Sequence, residues 1–112
     1  MNSQSNEYPS IIQKLDKNTF AFNYNVQEKV NENNEVYYTY EQTIINDRDL
    51  THNKILRDTI NEKFDTDQQL KLINDYISYN LNILTDEKYK TRYEDFLYFR
   101  AFIKNKIDSL IL

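Results

Sequence analysis

Between Thr19 and Val26 the side chains alternate: Phe20, Phe22, Tyr24 and Val26 fall on one side, Thr19, Ala21, Asn23 and Asn25 on the other. A period of two predicts a strand with one face buried. The stretch from Gln27 to Glu35 is polar and holds three Asn, the residue that best replaces glycine where φ must be positive. Val36, Tyr38, Tyr40 and Ile44 then alternate with Tyr37, Thr39 and Thr43, a second strand rich in aromatic and β-branched residues. Together they predict an antiparallel hairpin over about residues 19–45, closed by a loop of about eight residues. A lone hairpin is marginal in water, so it must pack on helices or join further strands.

From Asp49 the apolar spacing changes to the helical 3.6. Thr51 or Asp49 can cap a first helix, about 52–63, with Ile55, Leu56, Thr59 and Ile60 on its apolar face. Thr66, with Gln69 three residues on, has the form of a capping box and opens a second helix of about 67–83. Thr85 or Asp86 caps a third, about 86–110. Connections this short imply antiparallel neighbours.

The second helix is apolar on two sides. Leu70, Ile73, Ile77, Leu81 and Leu84 form one stripe; Leu72, Tyr76, Tyr79 and Ile83 form another. Such a helix is sandwiched. One stripe is expected to meet helices 1 and 3, and the Leu72/Tyr76/Tyr79/Ile83 stripe to lie under the hairpin. The third helix carries Tyr89, Tyr93, Phe96, Arg100, Ile103, Ile107 and Leu110 in an unbroken 4-3 alternation, a heptad seam with one Arg in it. Arg100 is expected to snorkel to the seam edge or to pair with an acid such as Asp75.

Residues 1–17 are polar, contain the sole proline (Pro9), and end in the small cluster Ile11, Ile12 and Leu15. They read as an extended, mobile arm. The fold class is therefore α+β: an N-terminal extended arm over 1–17, then a single domain over 18–112 made of the hairpin and three antiparallel helices.

Composition narrows the chemistry. In 112 residues there are no Cys, no Gly and one His. Disulfides, thiolate zinc sites, Cys nucleophiles and glycine loops that cradle phosphates are excluded, and no cofactor is expected. Net charge is −4, which argues against a nucleic-acid or anionic-membrane binder. The most basic stretch, Lys88 to Lys106, reads as a solvated helix surface. No apolar run approaches the ~18 residues needed to cross a bilayer, and residues 1–6 lack the basic and apolar regions of a secretory signal. A cytoplasmic setting follows, or a particle assembled there.

Candidate catalytic groups dissolve on inspection. His52 sits at a helix start with no recognisable nucleophile motif for it to serve. Asp47-Arg-Asp49 and Asp65-Thr-Asp67 open like calcium loops, but counting from Asp65 the twelfth residue is Tyr76 and the glycine position holds Leu70. They read as helix-entry carboxylates. The hairpin tyrosines could stack on bases or sugars, yet no Lys or Arg interleaves with them, so core and protein contact is the better reading.

Thr51-His-Asn-Lys-Ile-Leu56, followed by Gln68-Gln-Leu-Lys-Leu-Ile-Asn-Asp-Tyr76 after a Tyr-rich hairpin, resembles small uncharacterised proteins of tailed bacteriophages of Bacteroidetes-type hosts. The resemblance covers about residues 18–104. It implies a virion-associated role in a tail or fibre. The chain departs from such proteins in lacking glycines after the second helix.

The expected function is a non-enzymatic structural or adaptor subunit of a larger assembly, a bacteriophage virion, partnered by copies of itself or by virion neighbours. The alternative is a small acidic cytoplasmic inhibitor or regulator of one host protein. The expected contact surface is the back of the third helix with the two chain ends: Tyr8, Ile11, Ile12, Tyr98, Phe102, Ile111 and Leu112.

Overall fold

A computed structural model describes residues 1–111. The fold is α+β, with a four-stranded antiparallel sheet and three helices. Strands β1 (Asn2–Ser5), β2 (Ile12–Asp16), β3 (Thr19–Val30) and β4 (Val36–Asn46) precede helices α1 (His52–Lys63), α2 (Thr66–Asn80) and α3 (Lys88–Asp108). They gather into two compact units, residues 1–58 and 59–111.

In the first unit β3 and β4 form the predicted hairpin, paired from Thr19 with Asn46 to Val30 with Val36. The ladder runs further than the apolar pattern did, because backbone bonds continue through the polar segment Gln27–Val30. The loop shrinks accordingly. Asn31 donates its N–H to the Glu35 carbonyl (3.0 Å), and its Oδ1 accepts from the N–H groups of Asn33 and Glu35. Asn34 takes φ 62° in this turn, the left-handed position a glycine would usually fill. A bulge lies between Tyr24 and Gln27, where Asn25 has φ 54° and donates from Nδ2 to Glu41 (3.2 Å). The extra residue resets the alternation. Gln27, opposite Thr39, continues the face begun by Phe20 and Phe22, and Val26 does not.

Residues 1–17 are extended, but they are not a free arm. β1 pairs with β4 and β2 with β3, giving the order β1-β4-β3-β2. The polar Asn-Ser-Gln-Ser of β1 needs no apolar face to do this, since the ladder is made by its backbone. With β1 and β2 on opposite edges, the connection from Asn6 to Ile11 must pass over β4 and β3. Tyr8 meets Tyr38 edge-on at 5.3 Å on the way. Asn23 donates from Nδ2 to the Ser10 carbonyl and accepts from Gln42 Nε2, both at 2.8 Å. This strap leaves β3 buried on both faces over Ala21–Tyr24, while the strand beyond Asn25 stays largely exposed. Ala21 and Phe22 are 0% exposed and Asn23, a polar residue satisfied by the strap, is 2% exposed. Phe22 and Tyr24 stack on the other face with ring centres 5.3 Å apart.

Thr51, and not Asp49, caps α1, accepting from the Lys54 N–H at 3.2 Å. The capping box of α2 sits one residue earlier than expected. Asp65 accepts from the Gln68 N–H while Gln68 Oε1 accepts from the Asp65 N–H, both at 2.8 Å. Asp and Thr are both good N-caps, and the chain uses the carboxylate. The displaced Gln69 donates to the Phe64 carbonyl (2.8 Å) and Asn61 Oδ1 (2.9 Å). Before α3, Asp86 accepts from the Lys88 N–H at 2.9 Å.

α2 stops at Asn80, three residues short of expectation, for a local reason. Ile83 N–H bonds to the Ser78 carbonyl (2.9 Å) and Asn82 N–H to that of Tyr79 (3.0 Å), with Asn82 at φ 60°. That pair of bonds is a Schellman ending, with Asn in the place glycine normally takes. Antiparallel to α2, α3 buries Phe96, Ile103 and Ile107 of its predicted seam. Tyr76 stacks on Tyr93 with ring centres 4.4 Å apart. Phe64, in the turn between α1 and α2, meets Phe96 edge-on at 5.1 Å and Phe99 at 5.9 Å.

Candidate protein-contact surface

The second unit exposes apolar and aromatic side chains on both of its long helices. On α3, Tyr98 is 71% exposed, while Phe102, one turn on, is 40% exposed with Lys106 Nζ 5.7 Å from its ring centre. Both lie opposite the buried seam because 3.6 residues per turn put positions 98 and 102 across from 96, 103 and 107. Ile111 is also exposed, and Leu112 falls outside the described residues. Exposed i,i+4 pairs, Lys90–Glu94 (3.9 Å) and Lys104–Asp108 (2.9 Å), lie along this helix on either side of Tyr98 and Phe102 in sequence. Each is worth about 0.3–0.5 kcal/mol. Arg100 is exposed and makes no ion pair among the described residues, Asp75 included. It snorkels out of the seam.

In the first unit, Tyr8 and Ile11 are exposed on the strap and Ile12 is half-buried at the start of β2. They share one short segment that crosses the sheet and enters its edge strand. A shallow cleft of about 260 Å³, lined by Gln4, Asn6, Asn31, Glu35, Val36 and Tyr37, lies by the hairpin end. Its titratable lining residues are Glu35 and Tyr37. Among the described residues, no group of three or more His, Cys, Asp or Glu side chains is placed to hold a metal ion. No described helix is long and apolar enough to cross a membrane.

α2 departs from expectation most. The Leu72/Tyr76/Tyr79/Ile83 stripe has α3 beside it, through Tyr76 on Tyr93, and Ile83 at its end is 70% exposed. The other stripe, expected inside, is open: Leu70 is 52% exposed, Ile73 37%, Ile77 50% and Leu81 65%. No residue of α2 is buried. The sequence carried the signal, two apolar stripes on one helix, but periodicity does not say which of the two stripes a small unit leaves uncovered. Comparison with protein-family models, with curated proteins and with solved structures found no match to this chain.

Proposed function

We propose that this protein is a non-enzymatic structural or adaptor subunit of a larger assembly, a bacteriophage virion in its tail or fibre region, built in the host cytoplasm. The observation that carries the reading is Tyr98, 71% exposed one turn from the exposed Phe102. A large aromatic pair in water stabilises nothing by itself, whereas an interface core is enriched in such residues. The resemblance of residues 51–56 and 68–76 to small phage virion proteins supports the particle as its setting.

Mass spectrometry of purified particles from a phage carrying this gene tests the proposal. The chain should be present, and the Tyr98→Ser, Phe102→Ser variant should fold normally yet be missing from them. Absence of the unaltered chain from particles, with recovery of one host protein bound to it, would favour the inhibitor reading that the net charge of −4 allows.

A further inference from the structure

We infer that the open stripe of α2 is the seat of a second copy of this chain, packed antiparallel about a two-fold axis. This deepens the subunit reading by naming the partner at one surface, and leaves the Tyr98/Phe102 face for other subunits.

The stripe runs Leu70, Ile73, Ile77, Leu81 at helical spacing. The Schellman ending extends it, because that motif turns its residue after the left-handed position back toward the last helical turn, which brings Ile83 toward Ile77. On α3, Leu97 is 43% exposed. The Tyr76–Tyr93 stack brings Leu97, one turn after Tyr93, to the level of Ile73, one turn before Tyr76. At these exposures the six side chains leave roughly 600 Å² of surface in water, against about 800 Å² per partner in an ordinary specific interface. That is at the top of the range for the largest apolar patch on a monomer, and backbone and flanking side chains supply the remainder.

Self-pairing fits the spacing. A two-fold contact is isologous, so each residue of the stripe must find an acceptable mate in the same stripe. Antiparallel packing centred between Ile73 and Ile77 sets Ile73 on the partner's Ile77 and Leu70 opposite the partner's Leu81, apolar on apolar throughout. The charges of α2, Asp67, Lys71 and Asp75, all lie off the stripe on the helical wheel, so none is buried in the contact, and only Asp75, on the far side of the helix, comes level with its own copy. A parallel pairing would instead place Asp67, Lys71 and Asp75 at the level of their own copies.

Sedimentation equilibrium on the full chain reads the outcome. The mass should be twice 13.6 kDa, and Ile77→Glu should weaken dimerisation about a hundredfold, since each dimer then buries two unpaired carboxylates. Its circular dichroism should be unchanged, because Ile77 is half in water already. The absence of natural Cys allows a check of orientation. A mixture of Leu70→Cys and Leu81→Cys chains should oxidise to a crossed disulfide dimer, and Leu70→Cys alone should not, its two copies lying about 16 Å apart along the helices. A monomeric unaltered chain, or a dimer untouched by Ile77→Glu, overturns the inference. If Tyr98→Ser, Phe102→Ser abolishes the dimer instead, the α2 seat is wrong while the subunit reading stands.

Discussion

α2 and α3 lie side by side, and each is apolar on more than one side, but they spend that character differently. α3 carries six Lys and Arg between Lys88 and Lys106 and still buries Phe96, Ile103 and Ile107. α2 has fewer charges and buries no residue fully. Apolar spacing therefore states how much surface asks to be covered, and position in the fold decides whether this chain covers it. The seam of α3 holds its unit together, whereas the outer stripe of α2 has contact to offer.

The sharpest test sets one isoleucine against another. Ile103→Ala should cost about 2–5 kcal/mol, the range for emptying a buried aliphatic site. Ile77→Ala, at a dilution where the chain is monomeric, should change stability by under about 0.5 kcal/mol. Urea unfolding of the two variants compares them directly, and equal losses would erase the distinction between the helices.

A smaller effect is expected where the two helices touch. Tyr76 is half-buried, so Tyr76→Ala should remove the stack on Tyr93 and part of its burial, about 2 kcal/mol in all. A fully buried aromatic would lose about 3–5 kcal/mol, and a thermal melt of the variant distinguishes these values.

The smallest effect concerns where α2 ends. Asn82 has φ 60°, so Asn82→Ala should cost about 1–2 kcal/mol. Asn82→Gly should be neutral or slightly stabilising, because glycine enters that region without strain. If Ala were as stable as Gly there, the Schellman ending would not be what stops the helix and turns Ile83 toward Ile77.

The parts legible in the sequence are those written by side-chain period. The hairpin and all three helices follow from it, because a buried face must repeat at 2.0 or 3.6. β1 was illegible for the converse reason. Asn-Ser-Gln-Ser has no apolar face, and its place in the sheet is fixed by backbone bonds to β4 that any sequence can make. The bulge at Asn25 was legible only as a permission, since Asn tolerates positive φ without announcing where it will be used. In the candidate contact surface, Tyr98 and Phe102 were readable because they oppose a seam. The α2 stripe was visible as a pattern and assigned inward, because spacing along one helix carries no information about how many neighbours that helix will have.

The strap from Asn6 to Ile11 also orders events in time. β2, β3 and β4 are joined by tight turns at Asp16–Thr19 and Asn31–Glu35, so their ladders can zip outward from local contacts at little loop-closure cost. β1 reaches β4 only after the strap has been laid across a sheet that already exists. It should therefore be the last strand to dock and the first to lift. In hydrogen exchange its amides should report a local opening well before the rest of the sheet gives way.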